Sequence, residues 1–195
     1  MSAAVLEKPA SSVRMPGPCP IIESERLVLR PHRRSDAGNI AGSLGDFAVS
    51  RMLSRVPQPY DRQDALDWLS PLLSGVSPDW TLAITTGDDV HIGTVGIEIR
   101  HGLWHLGYWL NRFYWGRGYM SEASSAVLER FFRRMPDVTV HSGAFADNAA
   151  SLRIQQKLGF MVTNASEIFN LARNRMTPHI ETTLVAEDFR PRQRV

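Results

Sequence analysis

Between a predicted strand and a predicted helix the chain reads Trp115-Gly116-Arg117-Gly118-Tyr119-Met120-Ser121-Glu122-Ala123. Two glycines in such a segment tolerate positive φ angles and let the backbone approach a ligand closely. The helix is expected to start near Ser121, and its unpaired first-turn amides and dipole form an anion site. A pyrophosphate group suits this site, and Arg117 could add a charge-assisted hydrogen bond. A plain strand-to-helix turn is the alternative, whereas a nucleotide P-loop is excluded because its Gly-Lys-Ser/Thr ending is absent.

A second segment of interest spans residues 147–160. Asn148 stands where a helix N-cap belongs, and Ser151 lies one turn later on the same helix face. Gly159 occupies the position of a C-terminal cap. Capping alone would explain Asn148, so the segment gains a functional meaning only together with the glycine pair.

The periodicity around these segments predicts both strands and helices. Alternation and turn signals predict an antiparallel three-stranded meander over 80–85, 90–100 and 104–110. Helical spacing predicts helices near 35–44, 61–69, 121–135 and 148–158, and further strands are expected at 25–31, 138–145, 160–163 and 180–185. Segments 45–60 and 164–178 are expected to be loops. This order predicts an α+β (mixed α/β) fold with helices on both faces of one sheet.

The composition fits one globular domain, since 43% of the 195 residues are hydrophobic and 22% are charged. We assign this domain to residues 21–190, after a flexible Pro/Ser-rich leader over 1–20 and before a basic tail over 191–195. Arg190, Arg192 and Arg194 are expected to be disordered. The net charge of +2 does not favour nucleic-acid binding, and no apolar run reaches the roughly 20 residues of a membrane helix. The lone cysteine, Cys19, supports neither a disulfide framework nor a metal cluster, which predicts a cytoplasmic protein.

Four blocks of the chain resemble the GCN5-related N-acetyltransferase (GNAT) superfamily, most closely its RimJ/RimL-type branch, which acetylates protein N-termini. These blocks are Ile22-Glu23-Ser24-Glu25-Arg26-Leu27-Val28-Leu29-Arg30-Pro31, Leu106-Gly107-Tyr108-Trp109-Leu110, the glycine segment 115–123, and 148–160. They stand in the order and spacing of that family. The resemblance implies the acyl-CoA N-acyltransferase fold, a central, twisted and mostly antiparallel sheet flanked by helices.

The resemblance also implies acetyl-CoA as the cofactor, with direct transfer of its acetyl group to a primary amine. The strand ending at Leu110 would part from the strand near Val138 and admit the pantetheine arm. Asn148 would contact this arm, and Ser151 would bond the thioester sulfur or protonate the leaving thiolate. The pyrophosphate would be held by backbone amides of Gly116, Arg117, Gly118, Tyr119, Met120 and Ser121. Trp115 and Met120 depart from the residues that the superfamily often carries there, but binding is expected to survive because its contacts come mainly from the backbone.

Two side chains are candidates for the general base that removes a proton from the amine. His105 stands where relatives often have Glu, two residues before Gly107, and its ordinary pKa of about 6.5 suits this task. Glu98 on the preceding strand is the rival. Packing or solvation would also explain either residue, and a water relay would need neither. A backbone N–H near Leu110 is expected to hold the oxyanion.

The resemblance implies that the acceptor is a protein N-terminal amine of the ribosomal-protein type. A small-molecule amine, such as a polyamine, amino sugar or antibiotic, is the alternative. A third hypothesis is a module that binds acyl-CoA without catalysis. Segments 45–60 and 164–178 are expected to decide acceptor choice, and they carry no readable motif. The resemblance implies a monomer or a homodimer, because members of the family are often one or the other. Neither direct binding of nucleic acid nor a membrane partner is expected.

Overall fold

The computed structural model describes residues 15–75 and 78–192. Residues 1–14 of the expected leader and residues 193–195 of the expected tail lie outside the described residues. The strands and helices, in chain order, are β1 (Ile22–Glu23), β2 (Val28–Pro31), α1 (Ala37–Leu44), α2 (Phe47–Ser50), α3 (Arg62–Leu73), β3 (Trp80–Thr85), β4 (His91–Arg100), β5 (Leu103–Leu110), α4 (Tyr119–Phe132), β6 (Val140–Phe145), α5 (Ala149–Leu158), β7 (Met161–Asn170) and β8 (Arg175–Leu184). None of the described helices combines the length and the apolar character needed to cross a bilayer.

All eight strands form one sheet, in the order β1-β2-β3-β4-β5-β6-β8-β7. Neighbouring strands are antiparallel except β5 and β6, which run parallel because α4 crosses over between them. The predicted meander is confirmed as β3, β4 and β5. The turn between β4 and β5 places His101 and Gly102 at positive φ. The predicted α+β fold with a mostly antiparallel sheet is therefore confirmed.

Apolar side chains cover both faces of the sheet. On one face, Phe131 of α4 contacts the rings of Trp80 and Trp104 edge-on, with centroids 5.7 and 5.2 Å away. On the other face, α1 and α3 bury Ile40 and Leu69 in a second cluster. Successive residues of a strand face opposite sides, so β5 is packed on both sides and its position is fixed.

Helix boundaries follow local capping chemistry. Asp61 caps α3 by accepting hydrogen bonds from the amides of Gln63 and Asp64 at 2.7 and 3.1 Å. The start of α4 differs from the prediction, because Gly118 is the N-cap with a φ angle of 76° and the helix begins at Tyr119, not Ser121. The first-turn amides therefore follow the glycine pair directly.

The β7–β8 hairpin is the largest departure from the prediction. Residues 164–178, expected to be a loop, extend the two closing strands to ten residues each. Most of β7 is exposed on both faces, so the strand lacks apolar alternation and is held by its pairing with β8. The expected loop 45–60 contains α2, which Asp46 caps. The two segments meet where the amide of Leu171 donates to the carbonyl of Ser54 at 3.1 Å.

The C-terminal end of the described chain is bound to folded elements. The amide of Arg190 donates to the carbonyl of Leu158 at 3.0 Å. The guanidinium of Arg192 pairs with Glu122 at 2.9 Å. The expectation of disorder is therefore wrong for Arg190 and Arg192, and Arg194 lies outside the described residues.

Candidate active site

A cavity of about 1250 Å³ opens where β5 and β6 part, and it is lined from both faces of the sheet. Its wall includes Trp68 and Trp109 on one face and Met120 and Ser151 on the other. All the residues predicted for the site line this cavity except Arg117. The glycine segment, the start of α5 and both base candidates are thus brought to one place.

Backbone pairing between β5 and β6 is short. Within these two fully described strands, it joins Trp104 to Val140 and His105 to His141. On its other side β5 is paired with β4 along its whole length. Beyond His105 the free edge of β5 therefore faces a gap, where an extended ligand could add to the sheet by strand-like pairing.

Two side chains identify which backbone groups face this gap. The Ser142 hydroxyl donates to the carbonyl of Leu106 at 3.0 Å, and the Trp115 indole donates to the carbonyl of Leu110 at 2.7 Å. Because the N–H and C=O of one strand residue point to the same side, the N–H of Leu110 also faces the gap. The Leu110 amide is thus available as a donor, while Trp115 occupies its carbonyl.

The glycine segment turns tightly into α4. Gly116 and Gly118 have φ angles of 75° and 76°, a left-handed conformation that costs other residues roughly 1–2 kcal/mol. A Cβ on Gly116 would meet no atom within 4 Å, so the backbone angle and not crowding explains glycine there. The amides of residues 119–121 precede the first intrahelical bond, which the Glu122 amide makes to the Gly118 carbonyl. These amides are the ones that an anion would use.

The remaining residues of the segment have different surroundings. Met120 is buried in the core against the sheet, so its side chain packs while its amide faces the helix start. The Arg117 guanidinium lies 5.6 Å from the ring of Tyr114 and outside the cavity wall. Arg117 therefore stands at the rim, where it could reach only the outer part of a ligand.

Asn148 and Ser151 lie at the start of α5. The Asn148 side chain accepts a hydrogen bond from the Ser151 amide at 3.2 Å, so Asn148 is the N-cap. The Tyr108 hydroxyl donates to the carbonyl of Ser151 at 3.3 Å, and burial raises the pKa of Tyr108. Two hydroxyl groups, those of Ser151 and Tyr108, thus line the gap in protonated form.

Glu98 and His105 are paired across β4 and β5. Burial acts to raise the pKa of Glu98, but hydrogen bonds and charges from Arg100 and Arg55 outweigh it, so the pKa is lowered overall. Burial, with the charges of Arg100 and His141 adding to it, lowers the pKa of His105 to about 4. At neutral pH Glu98 is therefore an ion-paired carboxylate, whereas His105 is uncharged and has one nitrogen that can accept a proton.

Sequence reasoning missed the charged residues around these two candidates. Arg55 donates to Glu98 at 3.1 Å, and Arg100 also pairs with Glu98. Glu181 of β8 accepts a hydrogen bond from Ser166 at 2.9 Å and lines the same cavity. Arg100 could have been found, because it lies two residues from Glu98 and so on the same face of β4. Arg55 and Glu181 come from distant segments and carry no such signal.

Comparison with known proteins agrees with this architecture. The family model described as an acetyltransferase (GNAT) domain matches residues 26–161, more than half of the chain. The chain is similar to the N-acetyltransferase p20 of Bacillus licheniformis, with 24% identity over 159 residues, 78% of this chain and 89% of that protein. It is also similar to the N-acetyltransferase YoaA of Bacillus subtilis, with 26% identity over 149 residues, 72% of this chain and 82% of that protein.

Solved structures share the fold. A GNAT-family acetyltransferase from Bacillus anthracis superposes with a TM-score of 0.74 at 18% identity, covering 86% of this chain and 99% of that chain. The ribosomal-protein-S5-alanine acetyltransferase of Vibrio fischeri gives 0.72 at 19% identity, covering 88% and 99%. Mycobacterium smegmatis RimJ in complex with CoA-disulfide gives 0.73 at 16% identity, covering 87% and 88%. The family match over 26–161, on an eight-stranded sheet parted at β5 and β6, shows that this chain belongs to the GNAT family of acetyltransferases.

Proposed function

We propose that the chain transfers the acetyl group of acetyl-CoA directly to a primary amine, and that this amine is the N-terminus of a protein. The observation that carries the proposal is the gap along the free edge of β5, which runs between the glycine turn at α4 and His105. Acetyltransferases of the GNAT fold use acetyl-CoA, which supplies an activated acetyl thioester. The residues of this chain would bind it, orient it and move protons around it.

The glycine turn fits a pyrophosphate. Gly116 and Gly118 allow a left-handed path, and the amides of residues 119–121 are free of intrahelical partners. In our proposal these amides and that of Gly118 hold the pyrophosphate, Arg117 neutralises it from the rim, and the edge of β5 up to Leu110 pairs with the pantetheine amides. The Asn148 side chain, which caps α5 at the same cavity, would contact the arm.

At the acyl end of the gap, this chain would stabilise the oxyanion and protonate the leaving thiolate. The Leu110 amide faces the gap and would donate to the oxyanion that forms as the amine attacks the carbonyl. Ser151 would protonate the leaving thiolate, and Tyr108, whose hydroxyl lies on the Ser151 carbonyl at 3.3 Å, is a second protonated donor beside it. Direct attack needs no covalent enzyme intermediate, and Cys19 does not line the cavity.

We assign the role of general base to His105 in preference to Glu98. The Glu98 carboxylate is ion-paired with Arg55 and Arg100, and these guanidinium groups compete with the amine for its oxygens. Burial lowers the pKa of His105 to about 4, so it is neutral but a weaker base than a free imidazole. In our proposal it therefore takes the proton as the N–C bond forms, when the attacking nitrogen becomes acidic. Glu98 then serves to balance the charges of Arg55 and Arg100.

The protein N-terminus is proposed as acceptor on two grounds. The cavity is wide, at about 1250 Å³, and opens between the segment 45–60 and the β7–β8 hairpin. In addition, structural neighbours include a ribosomal-protein-S5-alanine acetyltransferase and the RimL ribosomal L7/L12 α-N-protein acetyltransferase. A small-molecule amine is the second candidate. A cytoplasmic location, where Cys19 would stay reduced, belongs to the same proposal.

Two measurements test the proposal. Calorimetric titration with acetyl-CoA, CoA and ATP should show binding of the first two and not of ATP. A protein that binds neither acetyl-CoA nor CoA would refute the proposal. Mass spectrometry should then show acetylation of free N-terminal peptides in a panel. Matched peptides with a blocked N-terminus and an internal lysine should stay unmodified. Acetylation of polyamines or amino sugars alone would instead favour the small-molecule acceptor.

A further inference from the structure

We propose that Arg26 is a positioning residue for the cofactor loop, and that it fixes which way the Arg117–Gly118 peptide points. Glu122 and Arg192, the last of the described residues, would hold Arg26 in place for this task. The inference rests on the proposed function, in which this loop binds the pyrophosphate. None of these three side chains was among the site residues expected from the sequence.

Glu122 is the centre of the arrangement. It lies in the first turn of α4 and only 4% of it is exposed. Its Oε1 accepts hydrogen bonds from the Ser24 hydroxyl and the Arg26 amide, both at 2.8 Å. Its Oε2 accepts from Arg26 Nε at 2.8 Å and from Arg192 Nη1 at 2.9 Å. A buried carboxylate with so many donors is well satisfied and rigidly placed.

Arg26 extends from this carboxylate to the glycine turn. Its Nη1 donates to the carbonyl of Arg117 at 3.0 Å. Its guanidinium carbon also lies 4.6 Å from the ring centroid of Tyr119, the first residue of α4. One planar guanidinium therefore contacts the turn, the helix start and the Glu122 carboxylate together, which a lysine ammonium could not do.

The contact with the Arg117 carbonyl has a direct consequence for ligand binding. In a trans peptide the C=O and the following N–H point in opposite directions. Holding the Arg117 carbonyl towards Arg26 therefore directs the Gly118 N–H away from Arg26. Because Gly118 has a φ angle of 76° and glycine samples both signs of φ, this peptide could otherwise rotate. A rotated peptide would present a carbonyl oxygen in place of the N–H and repel an anion.

Arg192 connects the Arg26–Glu122 pair to the last described segment of the chain. The Arg192 guanidinium bonds to Glu122. The backbone amide of Arg192 donates to the Ser125 hydroxyl at 2.8 Å, so the chain at Arg192 is fixed along α4. Removing the Arg192 side chain leaves the bonds between Arg26 and Glu122 intact. Its effect on the loop should therefore be smaller than that of removing Arg26 itself.

The test compares CoA with pantetheine, which contains the same thiol arm but no pyrophosphate. Dissociation constants are measured by titration for wild type, Arg26→Ala, Arg26→Lys and Arg192→Ala, with Arg133→Ala as control. Arg133 lies at the other end of α4, where it pairs on the surface with Glu129. Loss of one oriented charge-assisted bond should weaken CoA binding about tenfold in both Arg26 variants. Arg192→Ala should fall between these variants and wild type, and Arg133→Ala should match wild type.

The ratio of the two dissociation constants separates positioning from general destabilisation. Arg26→Ala should leave the pantetheine constant within about twofold of wild type, since only the pyrophosphate contacts are lost. Equal weakening of both ligands, or unchanged CoA binding in Arg26→Lys, would overturn the inference. If Arg26→Ala does not fold, Arg26→Lys and Arg192→Ala decide the outcome by the same ratio. A wild-type protein that fails to bind CoA would instead refute the proposed function.

Discussion

Replacing Gly118 by alanine tests the glycine turn most directly. Gly118 has φ 76° and ψ 2°, and a left-handed conformation costs a residue with a Cβ roughly 1–2 kcal/mol. A Cβ there would lie 3.5 Å from Arg26 Nη2, an ordinary contact, so crowding adds nothing. We therefore expect the free energy of unfolding to fall by about 1 kcal/mol if the turn keeps its shape. If the turn relaxes instead, its amides shift and CoA binding weakens by about tenfold or more.

Gly102→Ala is the matched control. Gly102 has a φ angle of 78°, and a Cβ there would meet no atom within 4 Å, but it lies in the turn between β4 and β5. Urea denaturation gives the free energy of unfolding of both variants, and calorimetric titration gives their dissociation constants for CoA. We expect similar loss of stability in the two, with weaker CoA binding only in Gly118→Ala. Wild-type affinity in Gly118→Ala, or an equal loss of affinity in Gly102→Ala, would refute the role of the turn.

Three further changes test other parts of the site and fold. Arg100→Ala should raise the pKa of His105 from about 4 towards its ordinary value, because a positive charge that lowers it is removed. NMR titration of the imidazole measures this pKa, and an unchanged value would contradict the influence of Arg100 on His105. His105→Gln should lower kcat by about 100-fold or more while leaving CoA affinity unchanged, as loss of a general base predicts. Normal turnover in this variant would show that His105 is not the base. Asp61→Ala should lower the free energy of unfolding by about 1 kcal/mol, because it removes the N-cap of α3, and urea denaturation should detect this without any change in CoA affinity.

The sequence predicts best what depends on neighbours along the chain. Helix caps and the glycine pair act within a few residues, so the sequence predicts them directly. Examples are the N-cap Asp61 and the C-cap Gly159. The meander was predicted for the same reason, since short turns join its strands. The gap beside β5 followed from resemblance alone, because nothing local in Leu110 indicates where a distant parallel strand ends.

The missed features all depend on contacts between distant parts of the chain. The strand β7 lacks apolar alternation because both its faces are largely exposed, and its partner β8 supplies the stabilising backbone bonds. Arg26 and Glu122 are 96 residues apart in sequence, so their pairing leaves no periodic pattern. The charges around Glu98 are a further case, since Arg55 reaches it from a segment without recognisable structure in the sequence.

The short pairing between β5 and β6 also bears on how the domain opens. Among the described residues, β5 pairs with β6 only at Trp104 and His105, so few main-chain hydrogen bonds connect the strands β1–β5 with the strands β6–β8. In native-state hydrogen exchange, proteins open in cooperative units that often coincide with supersecondary motifs. The amides of β6 should therefore exchange independently of those in the meander when no ligand is bound. A ligand lying along the edge of β5 would bridge the two units, and its binding would couple their unfolding into a single transition.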